Sequence, residues 1–253
     1  MKDIVQSVDR ALSILELISN HNDGLRIIDI SEETGLHKST VHRLLGTLIH
    51  KGFVEQDLNT NKYKISLKLY ELGSKKIESL DILEVSKPYT KMLMTELNEV
   101  VHLVIRDGNY IAYVDKVEAD NTIRMASTVG RRSPLYCTSV GKVILAFMDE
   151  EEVKKIWQNS SIQKLTKNTI TDFEELKKEL DIVRKQGYAE DDEENELEVR
   201  CIGAPVFNHK GEVEGAISIS GPTIRVTKDR VEKIGKEVKK YADKISKELG
   251  YSN

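Results

Sequence analysis

The chain has 253 residues, 39% of them hydrophobic and 32% charged, with a formal net charge of −4. That length favours two domains over one, and the charge excludes a uniformly basic nucleic-acid binder while leaving room for a local basic surface. Two cysteines, Cys137 and Cys201, exclude a disulfide scaffold and fit a reducing compartment.

No apolar run approaches the roughly 20 residues of a membrane helix, and Met1-Lys2-Asp3-Ile4 begins no apolar signal segment. A cytoplasmic protein with no membrane partner is therefore expected. Residues 1–66 carry 8 Lys/Arg and 9 Asp/Glu, together with four of the six histidines (His21, His37, His42 and His50). Val8, Ala11, Leu12, Leu15 and Ile18 recur at helical spacing, and His21-Asn22-Asp23-Gly24 ends that helix. Ile27 to Thr34 predicts a second, shorter helix, with no Ser, Thr, Asn or Asp immediately before it as a cap. Gly35-Leu36-His37 is a three-residue turn. A third helix follows, with Val41, Leu44, Leu45, Leu48 and Ile49 on one stripe, and Gly52 ends it. Phe53–Gln56 and Lys62–Ile65 flank the polar turn Asp57-Leu58-Asn59-Thr60-Asn61 as a β-hairpin would.

The character changes near residue 66. Residues 67–99 read as helical. Strands are expected over Val100–Arg106 and Tyr110–Val117, around Asp107-Gly108-Asn109, and over Thr122–Ser127. Helices are expected over Ser139–Met148, Glu150–Trp157 and Asp172–Gln186. Tyr188–Asp191, Val199–Phe207 and Val213–Ser220 complete a sheet. Val231, Ile234, Val238, Tyr241, Ile245 and Leu249 mark a last helix, which Gly250 stops. Strands with helices between them imply an α/β or α+β domain.

The turn between the second and third helices is the geometry that lets a helix enter the major groove. The outward face of the third helix carries Lys38, Ser39, Thr40, His42, Arg43 and Thr47, and no acid stands between Leu36 and Lys51. Arg reads guanine bidentately, and Ser or Thr bonds phosphates or base edges. The hairpin tip adds Asn59, Thr60, Asn61 and Lys62, suited to phosphate or minor-groove contacts. A small helical module that binds protein is the competing reading, and the net charge of −1 over residues 1–66 leans toward it.

Three stretches of this segment resemble the winged helix-turn-helix of the IclR family of bacterial transcriptional regulators: Val8 through Leu15, Gly35 through Leu45, and Leu48 through Val54. Gly130 through Lys142, Gly187 through Glu194, Cys201 through Phe207 and Ala216 through Pro222 extend the resemblance, in order, over nearly the whole chain. It implies an α+β protein with a winged helix-turn-helix over 1–66, a linker helix over 67–81 and a GAF-like effector domain over 82–253. In that last domain a mostly antiparallel sheet is flanked by helices.

Three features of the second domain point to a small-molecule site on their own. Ser218 and Ser220 share one face of a strand, and Cys201 lies on a neighbouring strand with Val199 and Gly203. Gly130-Arg131 stands just ahead of the helix that begins at Ser139, where free N–H groups favour an anion. Glu190–Glu198 holds seven acids in nine residues. Each also has an ordinary reading, as tolerated strand serines, a core thiol or a solvated acidic loop. The family resemblance implies a small carboxylate or aromatic acid held by the Gly130-Arg131 backbone, Asp191, Cys201, Ser218 and Ser220. Near Lys116 to Arg124 an acetate-sized ligand would call for apolar walls, but Arg124 is charged and Tyr113 is bulky. If Arg124 faces inward, a larger acid such as a sugar acid fits.

A single winged helix-turn-helix reads too few bases to be selective, so a homodimer or tetramer on inverted-repeat operator DNA is expected. It would act by default as a repressor of a catabolic operon, released or retuned by a small carboxylic or sugar acid, with no cofactor. Two other classes compete. A Cys-dependent enzyme needs a base beside its thiol, and His102 and His209 are the histidines beyond residue 66; there is no G-x-S-x-G elbow and no phosphate-loop spacing around Gly141-Lys142. A zinc-responsive regulator would need paired-ligand spacing that Cys137, Cys201 and the histidines lack. No catalytic or metal-ligating residue is therefore assigned.

Overall fold

In the computed structural model, which describes residues 4–78, 81–122 and 124–252, the chain divides into two units, Met1–Ser79 and Leu80–Asn253. The first is built on α1 (Gln6–Ser19), α2 (Ile27–Thr34) and α3 (Lys38–His50), followed by β1 (Val54–Gln56), β2 (Tyr63–Ile65) and α4 (Lys68–Glu78). At about 100° per residue, Ala11, Ile14, Leu15 and Ile18 fall on one narrow arc of α1. Ile14, Leu15 and Ile18 are the residues it buries. Val8 and Leu12, expected in that stripe, lie to one side of the arc and are 55% and 54% exposed. Ile30 of α2, Val41, Leu45 and Leu48 of α3, and Val54 and Tyr63 of the hairpin close the core.

Arg26 stands at the cap position of α2. Its backbone N–H donates to the Asp29 carboxylate at 3.0 Å, and its guanidinium bonds the same group. The acceptor at this helix end is therefore Asp29, which holds the entering chain, and not the residue at the cap position. Gly35 stops α2 at φ 67°, a left-handed conformation that glycine adopts without a Cβ penalty, and the chain turns into α3. Antiparallel β1 and β2 form the wing, with Val54 opposite Ile65 and Gln56 opposite Tyr63. The linker helix expected over 67–81 corresponds to α4, and residues 79 and 80 lie outside the described residues.

The second unit begins with α5 (Asp81–Leu97). It continues through β3 (Val100–Asp107), β4 (Tyr110–Val117), β5 (Arg132–Pro134), α6 (Ser139–Ala146), α7 (Glu150–Gln158) and α8 (Phe173–Gln186). β6 (Ala189–Asp192), β7 (Val199–Phe207), β8 (Val213–Pro222) and α9 (Val231–Glu248) complete it. Its sheet has six strands in the order β5-β4-β3-β8-β7-β6, and each neighbouring pair is antiparallel. An added Cβ at Gly203 of β7 would meet Ser139 and Val140 of α6, whereas one at Gly215 of β8 would meet Ile82 of α5. With side chains alternating along each strand, α6 covers the face that holds Ser218 and Ser220, and α5 covers the other. α6 is itself a core element, with all eight of its residues buried.

Of the strand expected over Thr122–Ser127, the described residues 122 and 124–127 are not in a strand, and residue 123 lies outside the described residues. The backbone carbonyls of Met125 and Ser127 instead accept hydrogen bonds from the Lys116 ammonium, each at 2.8 Å, so a side chain replaces a neighbouring strand. The edge strand of the sheet comes later, at β5, which pairs Ile111 with Ser133.

Candidate functional site

In the first unit, α3 presents Lys38, Ser39, His42, Arg43 and Thr47 to solvent, with Thr40 half-buried. Two hydroxyls of this face are already engaged locally: Ser39 Oγ lies 2.8 Å from His37 Nδ1, and Thr47 donates to the Arg43 carbonyl at 3.1 Å. Arg43, Lys38 and His42 therefore carry the strongest outward-facing chemistry. At the wing tip the Asp57 carboxylate accepts from the backbone N–H groups of Asn59 and Thr60, at 2.8 and 3.0 Å. These bonds hold its pKa below the usual carboxylate value. Asn61 sits at φ 56°, and Lys62 follows it. Asp57 shapes the tip without reaching the solvent-facing chemistry, a role that its place in a polar turn would have suggested had the Asx-turn pattern been read.

In the second unit, α6 covers the sheet face only as far as Gly203 and Ser218. Beyond it a cavity of about 130 Å³ opens. Its floor is His102, Tyr113, Cys201 and Ser220; residues 124–127, Arg131 and Ser133 flank it on one side, and Asn195, Glu196 and Val199 on the other. Arg124 faces this cavity, as does Arg131. Two arginines, both exposed, and residues that carry hydroxyl and amide groups thus border a space sized for a small organic molecule.

Of the six residues expected to hold an effector, Arg131, Cys201 and Ser220 line the cavity. Ser218 lies deeper, buried and paired with His102 on one side and Gly203 on the other. Asp191 lies behind the wall, opposite Cys201. Its carboxylate accepts from the N–H groups of Glu194 and Asn195 at 2.8 and 3.2 Å, which folds the loop that presents Asn195 and Glu196. Burial, together with the nearby Glu194, pushes the Asp191 pKa up to about 7. The backbone of Gly130 and Arg131 does not offer free donors. The Gly130 N–H bonds the Tyr113 carbonyl at 2.8 Å and the Arg131 N–H bonds Thr128 at 3.2 Å, because the chain turns tightly at Gly130, φ 86°. What this position brings to the cavity is the Arg131 side chain.

The acidic run is not a solvated loop throughout. Asp191 and Glu194 are buried, and Glu194 meets the Lys142 ammonium at 2.5 Å, with Glu179 at 2.9 Å from the same nitrogen. Burial alone would lower the Lys142 pKa, but the two carboxylates outweigh it and raise it. Thr166 and Thr169 donate to the carbonyls of Glu193 and Glu194. The loop that walls the cavity is therefore pinned from beneath by a buried cation.

His102, like Ser127, Ser133, Asn195 and Glu196, lines the cavity without having been expected there. It interrupts the apolar run Val100-Val101-His102-Leu103-Val104, and a lone polar residue in a strand otherwise buried on both faces is a usable signal. It is 3% exposed, and burial with Lys116 nearby pushes its pKa down to about 3. Both thiols are held protonated: Cys137 is pushed up to about 12 by burial, and Cys201 is raised for the same reason. Among the described residues no three His, Cys, Asp or Glu side chains converge as a metal ion would require, and no helix is long and apolar enough to cross a membrane.

A winged helix-turn-helix with an exposed cationic recognition helix, joined in one chain to a sheet domain with a polar cavity, defines a DNA-binding transcriptional regulator. Residues 7–58 match the IclR helix-turn-helix domain, and residues 74–247 match the C-terminal domain of IclR bacterial transcriptional regulators. The chain belongs to the IclR family. It is 38% identical over 249 residues to the HTH-type transcriptional regulator KdgR of Escherichia coli, spanning 98% of this chain and 94% of that one. It is 34% identical to the E. coli transcriptional repressor IclR over 97% of this chain and 90% of that one. The crystal structure of the Thermotoga maritima IclR superposes with a TM-score of 0.84 at 34% identity, covering 98% of this chain and all of that one.

Proposed function

We propose that this regulator represses a catabolic operon in the cytoplasm and is released from DNA by a small carboxylic acid, of the hydroxylated or sugar-acid kind, bound in the second unit. The observation that carries this reading is the cavity, where Arg124 and Arg131 stand beside Ser127, Asn195 and Ser220. The guanidinium groups suit a carboxylate, and the hydroxyl and amide groups suit further oxygens, which an acetate-sized acid does not possess. Lys38, Ser39, Thr40, His42, Arg43 and Thr47 read operator DNA, and Asn61 and Lys62 reach the backbone from the wing. A single such reading head covers few base pairs, so a homodimer or tetramer on an inverted repeat supplies selectivity. The acid acts by population shift: it favours one arrangement of the assembly, by no more than its differential affinity for the two states. Protonated thiols are poor nucleophiles, which speaks against turnover of the bound acid.

A thermal-shift series of metabolite acids tests the reading, since a ligand at 100 times its Kd stabilises the native state by about 2.7 kcal/mol. Stabilisation by hydroxylated acids, accompanied by loss of operator binding, supports it. Stabilisation by plain fatty acids alone, or by none of the series, overturns it.

A further inference from the structure

At the base of the cavity lies a buried hydrogen-bond chain. His102 Nε2 is 2.7 Å from Ser127 Oγ, and His102 Nδ1 is 3.3 Å from Ser220 Oγ. The ring is fixed from the side by Tyr113, edge-on at a centroid distance of 5.0 Å. Ser127 and Ser220 both border the cavity, one from the segment beside Lys116 and one from β8. We infer that His102 is the specificity-determining residue of the cavity, its one ring proton selecting which of these two serines donates a hydrogen bond to the ligand.

A neutral imidazole has one N–H and one lone pair. With the proton on Nδ1, the ring donates to Ser220 Oγ, and the Ser220 hydroxyl turns away from the ring, toward Cys201 and the cavity. Nε2 then takes the Ser127 proton, so Ser127 faces the cavity as an acceptor. With the proton on Nε2 the two roles reverse. Both serines become donors together only if the ring is charged. Its environment opposes that: the ring is buried, and on the paired strand β4 stands the cation Lys116. Lys116 is itself occupied by Glu118 at 2.6 Å and by the Met125 and Ser127 carbonyls.

The cavity therefore offers a donor at one serine and an acceptor at the other, which matches a ligand with a carboxylate at one end and a hydroxyl at the other. A ligand with a carboxylate at each end would set one charge against that acceptor unless Arg124 or Arg131 drew the second carboxylate away from Ser127. The carboxylate is expected at Ser220, which is held on a central strand, because a preorganised donor loses less on binding than Ser127 in an irregular segment. This inference rests on the reading that the cavity binds an acid.

D-gluconate and D-glucarate form a matched pair of probes, with the same carbon chain and a terminal hydroxyl in one and a second carboxylate in the other. The full-length protein, labelled with ¹⁵N-histidine, reports the tautomer of His102 by two-bond ¹H–¹⁵N spectra. His102→Asn assigns the resonance, and Ser220→Ala assigns it by perturbation should His102→Asn not fold. The expected result is the Nδ1–H tautomer with gluconate bound, a glucarate affinity lower by tenfold or more, and a loss of about tenfold in gluconate affinity for Ser127→Ala, which strips Nε2 of its donor. Gluconate bound with the proton on Nε2, or equal affinities for the two acids, overturns the selector role and leaves the acid reading standing. Absence of binding by both acids overturns the selector together with that reading.

Discussion

The two units of this chain handle polar groups in opposite ways. In the helix-turn-helix unit the described core is apolar throughout, and Lys38, His42 and Arg43 stand in solvent. In the sheet unit lie all of the fully buried polar and charged side chains among the described residues, including Lys142, Glu194, Asp191, Arg200 and His102. The contrast matches the two tasks proposed above. DNA is a large polyanion met at a surface, so its ligands gain from exposure and are screened by salt. A small acid must be taken out of water, so its site needs polar groups held in a low-dielectric interior, where each must have a partner. A unit of 79 residues has little interior in which to satisfy buried charge; the larger unit has room for Lys142 with both of its carboxylates.

The contrast can be broken or sharpened by substitution. The largest effect is expected at Lys142. Lys142→Met leaves Glu194 buried without its cation, and losing one partner of a buried pair typically costs about 3–5 kcal/mol. Denaturant unfolding should show the loss in the sheet unit, and wild-type stability would mean that Glu194 is neutral or reaches water.

Next comes a pH effect at Asp191. Its folded pKa of about 7 lies above the ordinary 3.8, so the group favours the fold in its protonated form. That contribution is complete below about pH 4 and is lost as pH rises toward 7. His102 runs the other way: lowered from 6.5 to about 3, it contributes fully above about pH 6.5 and loses its contribution as pH falls toward 3. Asp191→Asn keeps an acceptor for the Glu194 and Asn195 amides and removes the first slope. The variant should gain on the wild type as pH rises from 4 to 7, by on the order of 2–4 kcal/mol. Parallel stability curves for the two proteins would refute this assignment.

On the DNA side, Arg43→Ala should weaken binding to an operator recovered by random-sequence selection by about 1–3 kcal/mol, the scale of a bidentate base contact. Lys62→Ala should weaken specific and non-specific binding alike, reducing the salt slope by about one charge. An unchanged operator affinity for Arg43→Ala, with the fold intact by circular dichroism, removes α3 as the recognition helix. The smallest effect separates two serines of one strand. Ser220→Ala should weaken effector binding by about tenfold, the scale of one charge-assisted bond. Ser218→Ala should weaken it less, because Ser218 lies beneath the cavity between His102 and Gly203. Equal losses, measured by isothermal titration, would place the ligand deeper than the cavity floor.

Much of this protein was legible in the chain because periodicity is local. The three helices and the wing, most strands of the second unit, and the outward face of α3 follow from spacing and from Gly35, which only needs its own dihedral angles to be read; the order of strands in the sheet does not. Where an element depends on a distant partner, local reading failed for identifiable reasons. Thr122–Ser127 has strand-like composition, but its Met125 and Ser127 carbonyls went to Lys116. Val8 and Leu12 are apolar, yet the packing of α1 selected Ile14 in their place. The Gly130 and Arg131 amides look free in a glycine turn, but Tyr113 and Thr128 claim them.

The sequence by itself determined the helices and wing of the first unit and the cationic outward face of α3, since helical stripes, alternation and turn chemistry act within a few residues; the two-domain architecture came with the family resemblance. Tertiary structure decided the sensor's chemistry. Sheet pairing set His102 across from Ser218 and Lys116, and Asp191 across from Cys201; the burial that followed moved the His102 pKa down and the Asp191 pKa up, past each other. Desolvation depends on everything packed around a group, and no spacing along a chain encodes that.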